Sequence, residues 1–276
     1  MYPGGVQGDD SVVLRKLRVG QLQAAGLATQ GIGAVYPDLL ALSVPFLFED
    51  YDEIDHVLAE MDGFWTAGLR ARGYVLLGWT DIGYVHLLSQ VPVARVADIA
   101  GRKVWRPSQD PLTGVLFSRA GVVSVPLAVP DVLLGLQSGM VDVVYAPPAA
   151  AIAMQWFTRV KYVTELPINY VMGAFVIAEE PFSRLTPAQQ ELLLESSRRH
   201  LRAATLAARK ANAEALAVMR RHGLELVTPA PGDVAAFREL VTTCLPEWLD
   251  VAFSRAAFAR IEACLAAYRQ REVSTP

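Results

Sequence analysis

The sequence predicts an α/β fold in two domains, on three observations. Its 276 residues are 53% hydrophobic and 19% charged, enough apolar side chain for a large core, and the length suits two domains at roughly 100–200 residues each. From residue 91 onward, short apolar runs alternate with helix-like stretches across brief connections, the pattern of an open α/β sheet. Residues 74–79 form a continuous apolar run of strand length, as a parallel strand buried on both faces would.

Taken in order, Asp9, Asp10 and Ser11 offer caps for a helix running to about Val19, with Val13, Leu14 and Leu17 on one face. Apolar runs follow at 22–27 and 39–48. Residues 51–72 read as one amphipathic helix, since Ile54, Val57, Leu58, Met61 and Trp65 share a stripe and Gly73 follows as a stop. Asp98-Ile99-Ala100-Gly101 leads into a strand at 103–105, then a helix at 111–120, a strand at 122–127, a helix at 130–137 and a strand at 141–145. Thr186-Pro187-Ala188-Gln189 combines a Thr cap, Pro at the first helical position and Gln at the third. The helix it opens meets no breaker before His222, where Gly223 ends it.

Charge and motif content exclude several classes. A net charge of −3 and a pI near 5.8, with basic runs only at 198–202 and 220–222, leave no footprint for nucleic acid. Those runs read as solvated helix faces. Every apolar stretch is interrupted before the ~18–20 residues a membrane span needs. Cys244 and Cys264 fit no zinc pattern and leave two readings open, a disulfide or two buried thiols. The histidines at 56, 86, 200 and 222 have no metal-site spacing, and neither a nucleophile elbow nor a phosphate loop is present. The expectation is therefore a protein without metal, cofactor or catalytic machinery. Ligands of open α/β sheets bind beyond the carboxyl ends of strands, which draws attention to the residues just after Val104 and Val144.

Several segments, in the same order along the chain, resemble one family. They are Tyr2-Pro3-Gly4-Gly5 with Gly8, Leu17-Arg18-Val19-Gly20-Gln21-Leu22, Val44-Pro45-Phe46-Leu47-Phe48, the run 98–104, Val125-Pro126-Leu127 and the run 131–142. Together they look like the solute-binding proteins of TRAP transporters, the C4-dicarboxylate-receptor (DctP) type. The resemblance implies a two-domain periplasmic-binding-protein-like fold with a hinge between domains: residues 1–83 and 163–276 in domain 1, 84–162 in domain 2, crossing strands near 79–87 and 161–176. It implies a receptor that closes on a small organic acid in the periplasm and delivers it to membrane TRAP permease subunits. The family carries a further strand and helix before Tyr2, preceded by an export signal, and by that comparison the first strand and helix of domain 1 are missing here. A ligand-sensing domain of the same fold, and an α/β enzyme, are the alternatives that fold likeness leaves open.

The resemblance also shows departures. Where the family has an arginine in Lys-x-Arg-x-Pro, this chain has Trp105, with Arg106 one residue later, and where the family has Gly-Phe-Arg it has Val85. Neighbouring strand residues face opposite ways, so Arg106 is not a simple substitute. A charged hydrogen bond contributes roughly 1.5–3 kcal/mol, so losing the family contact weakens a carboxylate by about one to two orders of magnitude unless another cation serves. Tyr145 and Ala146 stand where the family often has Glu-Asn. Trp79, Tyr84, Trp105, Tyr145 and Trp156 suggest an aromatic pocket, with Gln155, Asp81, Arg106 and His86 as polar groups. Asp38 matches a family acidic position, although a turn or helix cap explains it as well. The expected ligand is an organic acid other than a standard dicarboxylate.

Overall fold

A computed structural model describes residues 6–107 and 110–274. The Tyr2-Pro3-Gly4-Gly5 segment lies outside the described residues. The chain opens with α1 (Asp10–Arg18), capped by the Asp9 carboxylate on the Val12 N–H, then β1 (Ala24–Ala28) and α2 (Thr29–Gly33). A 3-10 turn at Pro37–Ser43 takes up part of the 39–48 apolar run. The amphipathic stretch from residue 51 is two helices rather than one, α3 (Tyr51–Glu60) and α4 (Asp62–Arg70). Met61 leaves helical geometry at φ −103° and ψ 11°, next to Asp62-Gly63, two poor helix formers. The apolar stripe survives the break: Ile54, Val57, Leu58, Met61 and Trp65 are all buried.

Strand β2 (Tyr74–Tyr84) is longer than its apolar run and is followed by β3 (His86–Ser89). Next come α5 (Val96–Ile99), β4 (Lys103–Arg106), α6 (Pro111–Arg119), β5 (Val123–Pro126), α7 (Val132–Gln137) and β6 (Val143–Ala146), in the expected alternation. They are followed by α8 (Pro148–Ala153), β7 (Tyr162–Thr164), β8 (Tyr170–Ala178) and α9 (Glu179–Ser183). The long helix is α10 (Pro187–Arg221). Its capping box forms as the sequence predicts, with Thr186 N–H on Gln189 Oε1 at 2.9 Å and Gln189 N–H on Thr186 Oγ1 at 3.4 Å. Strand β9 (Glu225–Val227), α11 (Pro231–Trp248) and α12 (Arg255–Ser274) complete the described chain.

These elements divide into two compact units. The first comprises the chain up to Asp81, Met172–Thr205 and Leu249 onward. It contains the sheet β1-β8-β2, in which β1 runs antiparallel to β8 from Ala24 opposite Ile177 to Ala28 opposite Gly173. The second comprises Ile82–Val171 and Leu206–Trp248, around a six-stranded sheet ordered β5-β4-β6-β3-β7-β9. That sheet is mixed: β4 pairs parallel with β5 and β6, whereas β3 runs antiparallel to β6 and β7. Strand β3 follows β2 with only Val85 between them, so it lies outside the strand-helix-strand series that makes its neighbours parallel. Unit 2 also takes in 206–248, beyond the expected 84–162. Met219 and Leu224 pack in its core with Trp156, Val160 and Val163, and α11 lies against α6.

Unit 1 holds a half-buried carboxylate with no cation paired to it among the described residues. Asp10 accepts the Ala28 N–H at 3.1 Å and a further hydrogen bond from the Gly31 N–H. Burial is the larger influence and raises its pKa from 3.8 to about 6, with a smaller push from Asp9. Because the folded value lies above the unfolded one, its stabilising contribution is complete below pH 3.8 and lost as pH rises through about 6. Asn resembles the neutral acid, so Asp10→Asn should gain stability relative to the parent, by roughly 2 kcal/mol between acid and neutral pH. Urea unfolding of both proteins at pH 4 and pH 7 checks this, and a difference independent of pH would refute it.

Candidate ligand site

Within unit 2, the carboxyl ends of β4 and β6 bring three of the expected aromatics together. Trp105 packs on Tyr145 and on Trp156, with ring centroids 5.1 Å apart in each case. Phe117, on α6, meets Tyr145 edge-on at 6.0 Å. Trp105 and Trp156 are buried, and the Trp105 indole donates Nε1–H to the Leu127 carbonyl at 3.0 Å. The two tryptophans are therefore the inner layer of the cluster, packed into the unit's core. Tyr145 is half-buried and packs on Trp105.

A polar group adjoins this layer. Arg106 is half-buried and turned to the other side of β4 from Trp105, as strand alternation requires, donating Nε–H to Ser124 Oγ at 2.7 Å and Nη1–H to Pro107 O at 3.2 Å. Asp110 caps α6, its Oδ1 accepting the N–H groups of Leu112 at 3.0 Å and Thr113 at 3.3 Å. The Tyr145 hydroxyl is enclosed, and Thr113 beside it completes no hydrogen bond of ordinary geometry. Burial pushes the Tyr145 phenol well up, the Asp110 charge adds to this, and Arg106 partly offsets it. Arg106, Asp110 and Thr113 thus all act on one phenol.

Of the other expected residues of unit 2, His86 adjoins this group through the sheet, whereas the described contacts of Tyr84 and Gln155 lie elsewhere. His86 stands opposite Ala146 in the β3–β6 pair, and its Nδ1 lies 3.0 Å from Thr164 O. Burial lowers its pKa and favours the neutral ring, while the Thr164 carbonyl and Glu165 work against that shift. Tyr84 contacts Tyr170 at 5.7 Å. Val85, at the second family arginine position, is buried and exchanges backbone hydrogen bonds with Asn169 and Ile168. Gln155 is exposed at a left-handed turn, φ 60°, between α8 and Trp156.

Three expected residues belong to unit 1. Asp38 accepts the Ser254 N–H at 2.8 Å, a contact across 216 residues that steadies the start of α12 and is neither a local turn nor a cap of its own helix. Trp79 is half-buried in β2 with its indole N–H enclosed and without a hydrogen bond. Asp81 is buried, its backbone N–H on Thr205 Oγ1 at 3.3 Å. Sequence reasoning missed Asp110, Thr113 and Phe117. Asp110-Pro111 carries a cap-then-proline signature that marks a helix start, but nothing local shows that the helix points at Tyr145.

The family profile of the bacterial extracellular solute-binding proteins, family 7 (DctP), matches residues 1–250. The chain belongs to this family. Among curated relatives it is 30% identical over 180 residues to the uncharacterized protein y4mM of Sinorhizobium fredii, covering 64% of this chain and 33% of that one. It is 24% identical over 206 residues to the 2,3-diketo-L-gulonate-binding periplasmic protein YiaO of Escherichia coli, covering 71% and 60%. The chain thus spans a third to three-fifths of the length of these two relatives. A TRAP periplasmic solute-binding protein from Desulfovibrio salexigens, solved with bound orotic acid, superposes with a TM-score of 0.89 at 17% identity, over 96% of this chain and 87% of that one. The family 7 chain therefore has the two-domain α/β fold of TRAP solute-binding proteins. Members of family 7 are extracellular binding proteins, and no helix among the described residues is long and apolar enough to cross a membrane.

Proposed function

We propose that this family 7 protein is the extracytoplasmic solute receptor of a TRAP transporter, which closes its two domains on a small organic acid and delivers it to the membrane permease without chemical turnover. The chain passes between the two domains four times, within β2, β8 and α10 and at the end of α11, so closure needs backbone adjustment at only a few residues near 81, 171, 205 and 248. The observation that carries the reading of the ligand is the layer at the carboxyl ends of β4 and β6, where Trp105, backed by Trp156, supports a half-buried Tyr145 beside Arg106.

In this reading Arg106 and Tyr145 contact the ligand and the tryptophans hold Tyr145 in place, while Tyr84, His86, Gln155, Trp79, Asp81 and Asp38 complete the candidate set. One cation in place of two family arginines favours a monocarboxylate over a dicarboxylate. An aromatic floor favours a flat or partly apolar acid, for which the orotic acid bound by the Desulfovibrio protein is a fitting example. The test is a thermal-shift screen of mono-, di-, keto- and aromatic acids on the purified chain. At least one acid should raise the melting temperature, and Arg106→Gln should weaken that acid about tenfold or more. Absence of any stabilising acid defeats the receptor reading, and turnover of a bound acid would replace it with an enzyme.

A further inference from the structure

Two exposed arginines of unit 1 stack on aromatic rings and form no ion pair with a carboxylate among the described residues. Arg72, just past α4, lays its guanidinium over the Tyr36 ring, with Cζ 4.1 Å from the centroid, and donates Nη1–H to Gly68 O at 2.8 Å. Arg260, on α12, lies over the Phe64 ring at 4.9 Å. The two rings are neighbours, 6.1 Å apart, and both rest on the fully buried Trp65. The platform depends on a close approach: a Cβ on Gly68 would stand 2.2 Å from Tyr36 Cε1, so α4 seats on the ring only with glycine there.

The neighbouring arginines of this unit are occupied. Arg70 pairs with Glu179, Arg255 with Asp250 and Arg269 with Glu53, whereas Arg72 and Arg260 pair with no carboxylate among the described residues. Both are exposed, and both act on the same phenol. Burial and the adjacent Asp38 raise the Tyr36 pKa to about 12, and the charges of Arg72 and Arg260 each pull against that rise. Asp38 itself is engaged with the Tyr36 hydroxyl and the Ser254 N–H.

We propose that Arg72 and Arg260 form a surface site for a phosphate-type oxyanion, free in solution or carried on a lipid headgroup. Guanidinium forks match the oxygens of such an anion, and stacking on rings removes much of the side-chain freedom that binding would otherwise cost. The site stands apart from the transport reading, since its residues take no part in the candidate ligand set except through Asp38.

The test compares the parent chain with the double variant Arg72→Gln/Arg260→Gln by calorimetric titration of inorganic phosphate at low salt. The parent should bind phosphate saturably in the millimolar range. The double variant, which loses only the exposed ring stacking and the Gly68 O contact and so stays folded with a slightly lower melting temperature, should bind about tenfold more weakly or worse. Equal binding by the two proteins, or no saturable binding by the parent, overturns the site. A second arm floats the protein with phosphatidylcholine vesicles with and without phosphatidylglycerol. Attachment that needs phosphatidylglycerol and is displaced by phosphate supports the site with a headgroup as its source; phosphate binding without attachment supports it with the free ion.

Discussion

Trp105→Ala should destabilise unit 2 by about 4 kcal/mol, the usual range for removing a buried tryptophan. The ring is 5% exposed and supports Tyr145 and Trp156 at once, so its loss leaves a cavity that two large neighbours cannot both fill. It also strands the Leu127 carbonyl that the indole N–H satisfies. Trp105→Phe keeps most of the packing and loses only that hydrogen bond, so it should cost about 1 kcal/mol. Urea unfolding followed by far-UV circular dichroism distinguishes the two variants. A loss under 1 kcal/mol for the alanine variant would show that Trp105 is not a core residue. The phenylalanine variant then addresses the ligand: if Trp105 only supports Tyr145, affinity for the acid found by screening stays within about twofold. A larger drop at preserved stability makes Trp105 a direct contact.

Arg269→Met should cost about 3 kcal/mol, because it leaves the Glu53 carboxylate buried without its cation. Glu53 is 4% exposed and holds Arg269 through Nε at 2.6 Å and Nη2 at 2.9 Å, while Nη2 also reaches Leu47 O at 3.1 Å. Burial works to raise the Glu53 pKa, but hydrogen bonds from Arg269 and the Glu49 N–H outweigh it and hold the carboxyl below its ordinary 4.5. A lowered acid stabilises fully above the unfolded value and loses that contribution as pH falls through the folded one. The penalty of Arg269→Met should therefore shrink below about pH 4.5, where a protonated Glu53 no longer needs a partner. Glu53→Gln combined with Arg269→Met should recover most of the loss at neutral pH. A penalty that is the same at pH 4 and pH 7, or a double variant as unstable as the single, would count against this account.

Both variants concern contacts that the sequence does not announce. Glu53 and Arg269 are 216 residues apart, and nothing in either local pattern points to the other. Local signals suffice where a few adjacent residues decide the outcome: the Thr186–Gln189 box opens α10 and Gly223, at φ 91°, closes it. The break at Met61 leaves no mark in the pattern because the apolar stripe runs through it unchanged. The membership of 206–248 in unit 2 has no local signal for a related reason. Helix α10 keeps a continuous helical pattern while its buried residues change partners, and Asn212, bonded to Ile82 O at 2.8 Å and to the Ala149 N–H at 3.0 Å, stands mid-helix without a sequence signal.

The sequence by itself determined the family and the order of helices and strands, since both rest on short motifs and on spacing along the chain. It also showed that tryptophan and arginine stand side by side at 105 and 106, where alternation sends them to opposite faces of β4. Only the tertiary structure decided which face is the core. Trp105 turns inward because Tyr145 and Trp156, some 40 and 50 residues later, close over that side with apolar surface to bury, while Arg106 on the other keeps its charge in contact with solvent and Ser124.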